Sequence, residues 1–245
     1  MGIQVLSVKD MPARPLHTFM YGPVRSGKTT AAATWPAPVF LSAGNEGGDT
    51  SLRFTAADAV IRISSVQDMK DAIAYINAYG ASKHGWRTIV LDSMTYYSDI
   101  FVGECTKNGE KYMAVRDWGT LDLHLQKWLM PTLMKMPFHV VYIALEEIIR
   151  GAEGEVKGYG AMLYGKSKDK LPGSCDLILR SATRNVRNSQ TQKMEPNFFF
   201  QTVTMDNSPS GGRFGNAFSD GVIPQHFGAI AQRIGPYINE TVPTT

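Results

Sequence analysis

The sequence predicts an α/β protein: a mostly parallel central sheet flanked by helices, with an antiparallel extension toward the C-terminus. Three observations predict it. Apolar strand-like runs alternate with helix-like segments through residue 146, a glycine-bounded loop joins the first strand to the first helix, and two β-rich runs near the C-terminus read as an antiparallel pair. At 245 residues the chain suits a single domain, 1–245, with a core at about 16–146 and a sheet extension plus last helix at about 147–235.

The elements follow in order. Leu16 to Tyr21 reads as a strand, and Lys28 to Thr34 as a short alanine-rich helix that Pro36 ends. Val39 to Ala43 and Ala59 to Ile63 are the next strands, the first leading into the polar, glycine-rich stretch GNEGGDT. Ser65 and Asp68 have capping-box spacing, and Val66, Met69, Ile73 and Ile76 share one helical face until Gly80, where the helix is expected to close. Thr88 to Leu91 is a buried strand ending in Asp92, and Tyr97 to Cys105 a helix broken by Asn108 and Gly109. Asp117 to Met136 is the longest helical stretch, which Pro131 should bend or split. Phe138 to Leu145 is a further strand, Asp176 to Val186 and Asn197 to Thr204 are the antiparallel pair, and Gln225 to Ile234 is the final helix.

Composition narrows the function classes. An apolar fraction of 43% and a charged fraction of 19% describe an ordinary folded chain, and a net charge of +3 is too small to argue alone for a nucleic-acid partner. Cys105 and Cys175 have no metal-type spacing, and the five histidines, at 17, 84, 124, 139 and 226, are scattered, so neither a metal cluster nor a nucleophilic triad is indicated. No run approaches the ~18 apolar residues that span a bilayer, so a cytoplasmic protein with no membrane partner is expected.

The chemistry concentrates in the run GPVRSGKT: Gly22, Pro23, Val24, Arg25, Ser26, Gly27, Lys28 and Thr29, with Thr30 following. It satisfies G-x-x-x-x-G-K-[ST] between a strand and a helix, where backbone N–H groups can curl around phosphates. Lys28 would reach the β and γ phosphates, and Thr29 would offer a hydroxyl to Mg²⁺, so ATP and Mg²⁺ are the expected ligands. Asp92, at the end of a buried strand, is the natural partner for that metal; in isolation it also reads as a helix N-cap. Glu46, after the second strand, could orient or deprotonate an attacking water, or be a solvated loop residue. Arg213, in SGGRFG, could act on the γ-phosphate of a neighbouring subunit; the plainer reading is a turn residue.

Two segments interleave cations with tyrosines: Lys107, Lys111, Tyr112 and Arg116, then Arg150, Lys157, Tyr159, Tyr164, Lys166, Lys168 and Lys170. Flexible basic loops of this kind suit single-stranded DNA, although nearby glutamates leave simple solvation as an equal alternative.

The ordered strings GPVRSGKTT, PVFLSAGNEGG, TIVLDSM and HVVYIALEE resemble the ATPase core of the RecA superfamily, over about residues 16 to 235. Within it, the chain looks like the small bacteriophage nucleotide-binding proteins that include the Sak-type single-strand annealing recombinases. The resemblance implies a RecA-like P-loop ATPase acting in phage-type DNA recombination. It implies Glu46 as the catalytic carboxylate, the basic segments as DNA-binding loops, and ATP lying between subunits of a homo-oligomeric ring or filament. The chain departs from that pattern at Glu146 and Glu147, which stand where a RecA protein has a glutamine sensor. The rivals are an ATPase whose partner is another protein, or a small-molecule kinase. A GTPase is disfavoured because no N-K-x-D string occurs.

Overall fold

The computed structural model describes residues 12–44, 48–107, 109 and 111–238. The chain opens with β1 (His17–Gly22), buried along its whole length, and α1 (Lys28–Ala32). Next come β2 (Pro38–Ala43), β3 (Ala59–Ile63), and α2 (Val66–Tyr75), which runs through a wide π turn (Ile76–Gly80) into α3 (Ala81–His84). β4 (Thr88–Asp92), α4 (Met94–Thr106), α5 (Val115–Leu123), a second π turn (His124–Leu129) and α6 (Met130–Met134) lead to β5 (His139–Arg150). The C-terminal part adds β6 (Val156–Ala161), α7 (Ser167–Ser174), β7 (Leu177–Arg187), β8 (Met194–Gln201), β9 (Gly211–Gly212), β10 (Val222–Pro224) and α8 (Phe227–Ile234).

Among the described residues ten strands join one sheet in the order β10-β8-β7-β1-β5-β4-β2-β3, with β6 on β5 and β9 on β7. The strands from β7 through β3 in that order are parallel, and β8, β10, β6 and β9 are antiparallel to their partners. Side chains alternate between two cores, as a sheet covered on both faces requires. Phe19, Tyr21, Leu91 and Tyr142 pack with Met69, Tyr97 and Leu125 on one face, while Met20, Phe40, Val90 and Ile143 pack with Ala32, Trp35 and Ile230 on the other. The last strand, β10, is three residues long and ends in Pro224.

Local chemistry explains where boundaries differ from expectation. Ser65 caps α2 by accepting from Asp68 N, but Asp68 returns its carboxylate to Ser64 N at 2.9 Å rather than to Ser65. The helix does not stop at Gly80; it continues to Gly85, whose φ of 70° supplies the left-handed end. Asp117 accepts from Ala114 N at 2.9 Å, so the long helical stretch begins at Val115. Pro131 does not break it, because it falls in the first turn of α6, directly after a π turn. The largest correction concerns β5. It continues past Leu145 to Arg150 and turns back as β6, so residues 147–170 form a hairpin and the start of a helix rather than a flexible loop.

Candidate nucleotide site

β1 ends at Gly22, level with Leu145 of β5, and the chain turns sharply into α1. Gly22 is dictated by a close approach: a Cβ there would overlap the Ser181 carbonyl oxygen of β7. Arg25 (φ 64°) and Gly27 (φ 82°) both take left-handed conformations, which curl the loop. Lys28 is buried and folds back over the loop, donating through Nζ to Gly22 O at 2.8 Å and Pro23 O at 2.7 Å. Its charge is thereby placed at the loop. Val24, Arg25 and Thr30 are exposed, and Ser26 is buried.

Two strands away, Asp92 ends β4, and its Oδ2 accepts from Thr29 Oγ1 at 2.6 Å. The N-cap of the following helix is Ser93, whose hydroxyl accepts from Tyr96 N, so the Asp92 carboxylate is left to face Thr29. Burial pushes the Asp92 carboxyl above its ordinary pKa, opposed by the Thr29 hydroxyl and the Lys28 charge. A hydroxyl and a desolvated carboxylate oxygen side by side suit a hard divalent cation that keeps several waters and takes further oxygens from phosphate. Mg²⁺ held partly by a nucleotide would fit this donor set. Glu46 lies outside the described residues.

Glu146 occupies the position just past the end of β1, on the face opposite α1, and is already engaged. Its carboxylate receives Arg180 Nε at 2.7 Å and Nη2 at 3.2 Å, a forked pair with both side chains largely buried. Arg180 in turn lies 4.2 Å over the Tyr159 ring of β6. Burial alone would lower the Arg180 pKa, but the hydrogen bond and charge of Glu146 outweigh it and raise it.

The expected DNA-contacting residues are divided among several elements. Lys107 caps α4 in a left-handed conformation, and Lys111, Tyr112 and Arg116 follow it on the surface, Tyr112 being 98% exposed. Arg150 donates to Gly154 O within the hairpin turn, and Lys157 pairs with Glu155 at 3.6 Å. Tyr164 donates to Asp99 at 2.7 Å and packs on Trp118, so its pKa is pushed up to about 12, chiefly by that hydrogen bond. Lys166 precedes α7, Lys168 reaches Glu147 at 3.7 Å, and Lys170 is an exposed residue of α7. Arg213 stands at the opposite, amino-terminal edge of the sheet from the phosphate loop. It donates there to Gly173 O at 2.8 Å and lies 4.0 Å from Asp176, which also receives Arg14 and the His17 N–H. Within one chain it stands at the far end of the strands from the loop.

Three residues that contact or flank the loop escape sequence reasoning: Arg180, Ser181 and Gln225. Ser181 Oγ donates to Ser26 O at 2.8 Å, and Gln225 Nε2 donates to the same oxygen at 3.0 Å. Nothing local distinguishes them, since two sit in a β-rich run and one follows a proline. A family model described as an AAA domain matches residues 14–214. No curated protein matches the chain.

Proposed function

The chain belongs to the AAA-domain family, and from that premise we propose that it binds ATP with Mg²⁺ in the loop Gly22 to Thr29 and hydrolyses it. The observation that carries this is the prepared contact between Thr29 and Asp92, 2.6 Å apart, beside an inward-folded Lys28. On binding, the Lys28 ammonium exchanges its carbonyl partners for phosphate oxygens and offsets their charge. Thr29 and Asp92 would hold Mg²⁺, and the ion would supply charge neutralisation at the phosphate oxygens. Water attacks the γ-phosphorus as the bond to the bridging oxygen breaks, and ADP departs with that electron pair. Glu46 is the proposed acceptor of the water's proton, a role Glu146 is poorly placed to take while bound to Arg180. Phosphate release from ATP, measured for the purified protein and for Glu46→Gln, tests the reading. Turnover in the parent with a large loss in Glu46→Gln is expected, and no turnover with Mg²⁺ present overturns it.

The partner in this reading is single-stranded DNA, engaged by a RecA-like homo-oligomer in phage-type recombination or annealing. Support comes from the fully exposed Tyr112 among Lys107, Lys111 and Arg116, and from the hairpin leaving the same sheet edge as the phosphate loop. Arg213 would then serve the loop of a neighbouring copy. Fluorescence anisotropy of a labelled oligonucleotide, with and without a non-hydrolysable ATP analogue, is the test. Absence of binding in both conditions favours a protein partner.

A further inference from the structure

We propose that Ser181 and Gln225 are positioning residues that prepare the phosphate loop for its ligand by fixing the direction of one peptide group, Ser26–Gly27. The proposal rests on the reading that the loop binds ATP. It adds to that loop two side chains from the C-terminal extension, one of which, Gln225, lies beyond the span the family model matches.

Two side-chain donors converge on the Ser26 carbonyl. Ser181 Oγ gives its single proton to Ser26 O at 2.8 Å and accepts from Ser26 Oγ, 3.1 Å away, and from Gln225 Nε2. Gln225 spends one amide proton on Ser26 O at 3.0 Å and the other on Ser181 Oγ. Only the amide nitrogen can face a carbonyl, which fixes the orientation of the Gln225 head group. Its Oε1 stands 3.2 Å from where a Cβ on Gly27 would be, and the Phe198 ring is equally close, so a side chain at 27 would displace the clamp.

In a planar trans peptide the C=O and the following N–H point in opposite directions. Two donors holding Ser26 O at the back of the loop, against β7 and the turn after β10, therefore turn the Gly27 N–H toward the mouth. Reversal of that one peptide would present a carbonyl oxygen to the phosphates, and repulsion would replace a hydrogen bond. Because the donors are side chains of the folded extension, the direction is set before nucleotide arrives, which lowers the ordering cost of binding.

The test compares steady-state ATP hydrolysis and thermal midpoints of the parent protein, Gln225→Met and Ser181→Ala. Gln225→Met keeps the volume and removes both donated protons; Ser181→Ala removes the shared hydroxyl. Each is expected to raise the KM for Mg²⁺-ATP about tenfold, the worth of one hydrogen bond to a charged group, with little change in kcat. A lowered midpoint with an unchanged KM in both variants would mean that the residues only stabilise the fold, and overturns the clamp. Should Ser181→Ala fail to fold, the half-exposed Gln225 position decides alone. A folded parent that neither binds nor hydrolyses ATP instead sinks the phosphate-loop reading beneath it.

Discussion

The phosphate loop and the β5–β6 hairpin leave the sheet at the same carboxyl edge, one from β1 and the other from its neighbour β5, yet they are held in opposite ways. The loop is held through its backbone, by left-handed residues, by glycine at a steric contact and by side chains that grip the Ser26 carbonyl. The hairpin is held through its charges, with Glu146 on Arg180, Glu147 on Lys168 and Glu155 on Lys157. Backbone constraint leaves the loop's cation available for a ligand in exchange for two carbonyls. Charge pairing ties the hairpin's glutamates to Arg180 and Lys168 from outside it, and its own Lys157 to Glu155.

The largest effect expected from this contrast is at Lys28. Lys28→Ala should cut ATP turnover by about 100-fold or more while the circular dichroism spectrum and melting curve stay close to the parent's, because the ammonium contacts carbonyls rather than core. Unchanged turnover in a folded variant would break the comparison at its stronger end. For the hairpin the corresponding change is Arg180→Met, which leaves Glu146 buried without its forked partner. The expected cost is about 3–5 kcal/mol by urea denaturation, with faster amide exchange along β6. A variant as stable as the parent would show that the pair does not anchor the hairpin.

Gly22→Ala should cost about 1–3 kcal/mol and weaken ATP binding together, since the added methyl pushes the loop off β7. Wild-type ATP affinity in that variant would mean that the loop's contact with β7 is incidental. Smallest of all are the surface lysines. Lys157→Ala should reduce oligonucleotide affinity less than Lys111→Ala, because the first already has a carboxylate at 3.6 Å. A lost DNA contact lowers the salt slope by about 0.7, so salt titrations of the two variants separate them. Equal slopes would remove the distinction between paired and available cations.

Acid should act on both regions through the core they share. Burial lowers the pKa of His139, at the start of β5, from 6.5 to about 4, and of His124 by the same amount. Each histidine is kept neutral in the fold, so its contribution is present above pH 6.5 and is lost as pH falls toward 4. Thermal melts across that window should show the midpoint dropping, with His139→Asn shallower than the parent. A flat profile would place both rings outside the acid response.

The parallel core was legible because its signals are local. Runs such as TIVLD and HVVYIAL announce buried strands, and the spacing of Gly22, Gly27, Lys28 and Thr29 announces the loop between β1 and α1. The continuation of β5 was not legible, since EEIIR passes from half-buried to exposed and its partner strand contains Gly158 and Gly160. Its pairing depends on a hairpin whose charged residues find one another only in space. Pro131 reads as a bend or a split because sequence patterns assume regular turns, whereas a π turn precedes it. Ser181 and Gln225 stayed invisible for a further reason: their importance comes from facing Ser26 at separations of 155 and 199 residues, which no short window contains.

The short last strand has a bearing on assembly. An exposed sheet edge invites a second chain to add its own strand, but β10 offers only Val222, Ile223 and Pro224, and proline has no N–H to donate. Strand addition beside β10 itself is thereby disfavoured, but β8 runs on past it from Met194 to Phe198. A strand added along this margin would find its ladder partners on the reach of β8 that β10 leaves uncovered, beyond the turn that carries Gln225.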